Sequence, residues 1–318
     1  MKKLLSFILL TVAAWHGYSQ SNITEHELRD HILFLASEKN AGRFPGTKAN
    51  RAVVNYIVND FKKQGLIPFK KSFKQKFKAR LRVGKDENEK PLVNTCNVIG
   101  YFEGNDPALK NEYIILGAHY DHLGMGGPSS KSEKKNSIHY GADDNASGTA
   151  ALLEIAEKIA SNKQDLKRSI IFIAFGAEEQ GLLGSQHFVD NPFIPLSQIK
   201  LMVNMDMVGR LNSEKHVYMG GAGTFPDGVT FMQNLGESMG LTPIVHAGSV
   251  GGSDHVSFYA KNISVLGIHT GGHPQYHTPE DTADLINISG QQQISEYIYK
   301  ALMELATTNY KMEFIKQD

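Results

Sequence analysis

Five short clusters in this sequence carry side chains able to do chemistry: His119 and Asp121 in G-A-H-Y-D-H, Asp143 and Asp144 in G-A-D-D-N-A-S-G, Glu178 and Glu179 in G-A-E-E-Q-G, Asp206 in N-M-D-M-V-G, and His277 in Y-H-T-P-E-D-T. Each singly has an ordinary explanation. A histidine at a strand end is often a hydrogen-bonded core residue, Asp143 or Asp144 could cap a following helix, and adjacent glutamates suit a helix's first turn. Asp206 is harder to explain that way, because it interrupts the apolar run from Leu201 to Val208. A carboxylate placed just after an apolar strand costs several kcal/mol to bury unless it is paired or holds a cation. Several such acids in one crevice would repel one another, and divalent cations relieve that repulsion most simply. Imidazole nitrogen mixed with carboxylate oxygen and no thiolate suits catalytic rather than structural zinc, and two ions bridged by one carboxylate need about five protein ligands. His119, Asp143, Glu179, Asp206 and His277 supply that set, although spacing alone leaves His255, His269 and His273 of the same segment open as the last ligand.

The spacing says which elements must bring them together. Intervals of 24, 36 and 27 residues separate His119, Asp143, Glu179 and Asp206, about one strand-helix unit each. Apolar runs at Tyr113–Leu116, Ile170–Phe175, Leu201–Val203 and Ser264–Ile268 are short and bounded by Gly or polar residues, as in buried parallel strands. Helical periodicity runs between them, clearest over 147–159 and 289–306. In such an open sheet the carboxyl ends of neighbouring strands face one crevice, and each cluster falls at or just after an expected strand end. The expectation is α/β: a mostly parallel mixed sheet flanked by helices on both faces, in a single domain over residues 20–318.

Ahead of this core, Thr24 and Glu27 form a capping box for a first helix, and a second helix is expected over 48–63, with Val53, Val54, Ile57 and Phe61 on one face. Residues 62–85 hold ten Lys or Arg and no acid. Phe73, Phe77, Ala79, Leu81 and Val83 alternate there with cations, which reads as a strand with one solvated face rather than a nucleic-acid arm. The chain of 318 residues carries 33 basic and 33 acidic side chains, so no charge excess favours a polyanionic partner. One cysteine, Cys96, excludes an intramolecular disulfide and a thiolate zinc site. Lys2 and Lys3 precede an apolar stretch over 4–14 and small residues at Gly17 and Ser19, a pattern expected of a signal peptide over 1–19 and hence of export to the periplasm or beyond. A largely apolar stretch of eleven residues falls short of the roughly 20 that span a bilayer, so no membrane span is expected.

In this order, G-A-H-Y-D-H-L-G, G-A-D-D-N-A-S-G-T-A, A-E-E-Q-G-L-L-G-S, N-M-D-M-V-G and Y-H-T-P-E-D-T resemble the signatures of the M28 family of dizinc aminopeptidases, with a weaker echo in A-G-R-F-P-G-T at 41–47. The resemblance implies a phosphorylase/hydrolase-like, zinc-exopeptidase fold. It also implies two zinc ions per chain, with His119 and Asp206 on one, Glu179 and His277 on the other, and Asp143 bridging. Glu178 would be the general base for a metal-activated water, Asp121 would orient His119, and the peptide after the bridging aspartate, Asp143–Asp144, would be cis. Peptides with a free N-terminus would be the substrates. His255 would lie near them and Ser253 and Asp254 would shape the crevice, with a structural role the equal alternative for each, and Tyr140 stands where related sequences often carry Asn. Glutaminyl cyclases share the fold with a single zinc, and a non-catalytic binding homologue is the third possibility. The intact double aspartate and full ligand set favour hydrolysis.

Overall fold

The computed structural model describes residues 22–82, 91–134, 136–248 and 251–317. The expected signal peptide and Val83 lie outside them. Thr24 Oγ1 accepts the Glu27 amide and meets the Glu27 carboxylate at the start of α1 (Glu25–Leu35), and Thr47 caps α2 (Lys48–Lys63) in the same manner. The cation-rich stretch forms β1 (Lys74–Arg80), with Phe77 and Ala79 buried and Lys76, Lys78 and Arg80 exposed. β2 (Leu92–Phe102) pairs antiparallel with it. The chain continues as β3 (Tyr113–His119), α3 (Gly148–Asn162), β4 (Ser169–Phe175), α4 (Leu183–Asp190) and β5 (Ile199–Met205). It ends with β6 (His216–Gly220), α5 (Gly228–Ser238), β7 (Thr242–Val245), α6 (His255–Tyr259), β8 (Val265–His269) and α7 (Ile288–Thr307).

These strands form one eight-stranded sheet in the order β1-β2-β4-β3-β5-β8-β6-β7. The central pairs β4·β3, β3·β5 and β5·β8 are parallel, and the antiparallel pairs sit toward the margins. Because both faces are covered, the central strands are apolar throughout rather than alternating. Ile114, Leu116, Ile170 and Phe172 face a core shared with α1, α2, α3 and α7, while Ile115, Ile171, Ile173 and Phe175 meet Phe188 of α4 and Phe258 of α6 on the other face. The chain passes from β3 to β4 on one side and then to β5 on β3's other side, so the order reverses beside β3. The crevice beyond the carboxyl ends of these strands is the expected place for a site.

Candidate metal centre

His119 is the last residue of β3 and is fully buried. Its Nε2 lies 3.2 Å from Asp144 Oδ1 and 3.4 Å from Asp206 Oδ1. Asp206 directly follows β5, where its amide donates to Ile268 of β8. His277 follows β8 in a left-handed conformation (φ 59°), with Nδ1 2.9 Å from the Ser129 carbonyl. Its Nε2 sits 3.0 Å from Asp144 Oδ2 and 3.3 Å from Glu179 Oε2. Each oxygen of Asp144 therefore faces a different imidazole, one partnered by Asp206 and the other by Glu179. Glu178 lines an adjoining cavity of about 240 Å³ together with Asp144, Asp206, Tyr276 and His277.

The central position expected for Asp143 is occupied by Asp144. Asp143 is turned the other way: Oδ1 accepts the Gly209 amide at 2.7 Å and Oδ2 lies 3.2 Å from His273 Nε2. The cause is Asp281, a buried carboxylate whose Oδ2 accepts the amides of both Asp143 (2.9 Å) and Asp144 (3.1 Å). Arg210 holds the other Asp281 oxygen at 2.9 Å. The cis peptide is correspondingly Asp144–Asn145, one bond later than expected. Asn145 fixes the turn, donating to the Met205 carbonyl and accepting the amides of Gly148 and Met207. This turn opens α3 rather than ending a strand, so Asp144 enters the crevice from the helix side.

Asp121 also differs from expectation. Its main-chain oxygen, 3.2 Å from His119 Nδ1, faces the ring, while its carboxylate Oδ1 accepts the Glu178 amide at 2.9 Å. Asp121 thus couples His119 to the loop carrying Glu178. Ser253 lines the cavity, with Oγ accepting from Asn204 at 2.8 Å; His255 lines it too, and Asp254 is fully buried. Tyr140 lies at the edge of the core, its carbonyl accepting from Arg43. Arg43, in the A-G-R-F-P-G-T echo, donates to the carbonyls of Leu35, Tyr120, Tyr140 and Gly141 at 2.6–3.0 Å and is completely buried. His122, Asp281 and Asn145 stand inside the five motifs but are not among the residues expected to act; their polar side chains within those motifs are the signal the sequence offers.

Burial penalises every charge here, and the neighbours decide which charges survive. Burial opposes ionisation of Asp144, but hydrogen bonds from His119 and His277 outweigh it and hold its carboxyl well below the usual range. Burial would lower His277, yet Asp144 and Glu179 raise it to about 10. Glu178 is pushed well above the ordinary carboxylate range, first by burial and then by Glu179, Asp254 and Asp206 against the opposing His119. Burial similarly raises Asp121 to about 6 and Asp254 to about 7.

The donor set fits divalent metal. His119, Asp144 and Asp206 offer ligand atoms within 4.8 Å of one another, and so do His122, Asp144 and Glu179. Asp206 Oδ1 is buried without a hydrogen-bond partner, as is Asp121 Oδ2. A buried carboxylate oxygen with no hydrogen-bond partner, as Asp206 Oδ1 is within the first group, is what a cation satisfies.

Residues 97–302 match the model of peptidase family M28. The chain belongs to that family. Aminopeptidase YwaD of Bacillus subtilis (strain 168) is 35% identical over 191 residues, which is 56% of this chain and 40% of YwaD. The M28 chain therefore spans less than half the length of that curated relative. The zinc aminopeptidase BSAP from Bacillus subtilis superposes with a TM-score of 0.70 at 20% identity, covering 92% of this chain and 98% of BSAP. Porphyromonas gingivalis glutaminyl cyclase superposes with a TM-score of 0.73, also at 20% identity, over 90% of this chain and all (100%) of that one. Such likenesses establish the fold; the M28 chain has the zinc-exopeptidase architecture.

Proposed function

We propose that this M28 chain is a zinc-dependent aminopeptidase that removes N-terminal residues from peptides. The observation carrying this reading is Asp144, whose two oxygens face His119 with Asp206 on one side and His277 with Glu179 on the other. His119, Asp206 and Asp144 would hold one ion, and His277, Glu179 and Asp144 the second. Zinc held by these residues would supply Lewis-acid polarisation of a scissile carbonyl and a lower pKa for a nearby water.

The protein's own groups supply the remaining steps. Glu178 lines the cavity, and in this reading its carboxylate accepts a proton from the attacking water and returns it to the leaving amine. Water adds to the carbonyl carbon, the C–N bond breaks, and acid and amine leave with all protons accounted for. Asp121 keeps Glu178 in place by accepting its amide. Export directed by residues 1–19 belongs to the same proposal, supported by Lys2, Lys3 and the apolar stretch behind them.

The test is release of 4-nitroaniline from aminoacyl 4-nitroanilides by the zinc-loaded protein, alongside conversion of glutaminyl peptides to their cyclised form. Glu178→Gln should lower turnover by roughly 10²–10⁴-fold while metal analysis still finds both ions. Cyclisation without hydrolysis would instead assign the chain to the single-zinc chemistry, and equal activity of Glu178→Gln and wild type would remove Glu178 as the base.

A further inference from the structure

The proposed centre gives the second ion His277 rather than His122, which leaves the buried imidazole beside Glu179 without a task. His122 is fully buried three residues beyond His119, and its Nδ1 lies 2.7 Å from Glu179 Oε1. Nε2 has no hydrogen-bond partner, and the ring stands edge-on to His277 with centroids 5.9 Å apart. Its place is closely packed. A Cβ added to Gly141, which adopts φ 58°, would come within 2.5 Å of the His122 ring and 2.2 Å of the Asp144 carbonyl. Glycine at that point is therefore what admits the imidazole beside the turn carrying Asp144.

Glu179 needs such a neighbour. A glutamate loses up to about 1.5–2 kcal/mol of rotamer freedom when ordered, and Glu178 next to it must stay free for another task. An ionised carboxylate can only accept, so Nδ1 carries the hydrogen in this contact. Oε1 is thereby occupied, and Oε2 is left facing His277.

We propose that His122 is a positioning residue: its Nδ1–H pins Glu179 Oε1 so that Oε2 is presented to the second ion and the side chain is kept out of the path of Glu178. This rests on the two-ion reading above. Asparagine places an amide nitrogen near where Nδ1 stands, whereas glutamine places one near Nε2, so the two substitutions separate the hydrogen bond from mere filling of the space.

Metal-free full-length protein would be titrated with Zn²⁺ in competition with a chromophoric chelator, after thermal unfolding has shown each variant to be folded. Wild type should take up two ions. His122→Ala and His122→Gln should weaken one of the two sites by roughly 10–100-fold, and His122→Asn should restore it to within about threefold of wild type. Should His122→Ala fail to fold, the contrast between His122→Asn and His122→Gln decides. The inference is overturned if His122→Ala binds both ions as wild type does, or if His122→Asn is as weak as His122→Gln. A wild-type protein that takes up no ion would overturn the metal centre itself, and His122's role with it.

Discussion

Asp143 and Asp144 stand side by side, yet one turns its carboxylate to the Gly209 amide and His273 and the other to His119 and His277. Neutralising each should separate them. Asp144→Asn, which touches both clusters, should abolish uptake of both ions as read by metal analysis. Asp143→Asn can keep an oxygen for the Gly209 amide and should retain both. Metal loss in Asp143→Asn with retention in Asp144→Asn would reverse the assignment. At this scale the sequence is legible in residue type but not in direction. G-A-D-D announces a carboxylate at this point, and five such clusters announce convergence. Which of the two acids enters the crevice is decided by Asp281, 138 residues further on, through two amide hydrogen bonds that no local pattern contains. The same holds for Asp121, whose position predicts a partner for His119 without telling main-chain oxygen from carboxylate.

Elements written in local patterns were the readable ones. Two threonine caps and apolar faces mark α1 and α2, and the runs of Ile, Phe and Val in β3, β4 and β5 need both faces of a sheet buried. β2, β6 and β7 were not anticipated. β2 contains Asn94, Thr95, Asn97 and Gly100, which read locally as turn residues; Asn97 is tolerated because it donates to Gln75 and the Gly184 carbonyl and accepts the Gly176 amide. β6 and β7 are too short, at five and four residues, to show a period. α2 carries a pH-dependent liability of its own. Asp60 has a buried oxygen without a hydrogen-bond partner, and burial raises its pKa to about 6 despite the opposing charges of His31 and Lys63. In the fold it binds its proton more tightly than in the unfolded chain, so its contribution is fully present below about pH 4 and is lost as pH rises through 6. Asp60→Asn should therefore stabilise the protein above pH 7, by about 3 kcal/mol at most and roughly 1–2 kcal/mol after solvent screening, and not at pH 4. Thermal melts of both proteins across that range check it; a gain independent of pH would refute the electrostatic cause.

Taken whole, the molecule gathers His119, Asp144, Glu179, Asp206 and His277 from the ends of three strands, the entrance of one helix and a C-terminal turn. Divalent ions at that junction would bind only the assembled chain, so they should contribute to its stability by mass action, about 4 kcal/mol at a thousandfold excess over the dissociation constant. Chelation should lower the melting temperature, Zn²⁺ should restore it, and Asp144→Asn should make the melt insensitive to either; an unchanged melt of wild type on chelation would argue against ions at the junction. Among the described residues no helix is long and apolar enough to cross a membrane. Arg43 carries a consequence for where this unit starts. The family match opens at residue 97, but the guanidinium of Arg43 reaches across to residues on either side of His119's loop, and Leu28, Ile32 and Leu35 of α1 are sealed into the core beneath α3 and α7. A fragment cut at the family boundary would leave the carbonyls of Tyr120, Tyr140 and Gly141 without their shared donor and bare an apolar wall, so the first two helices are masonry of the site rather than an appendage to it.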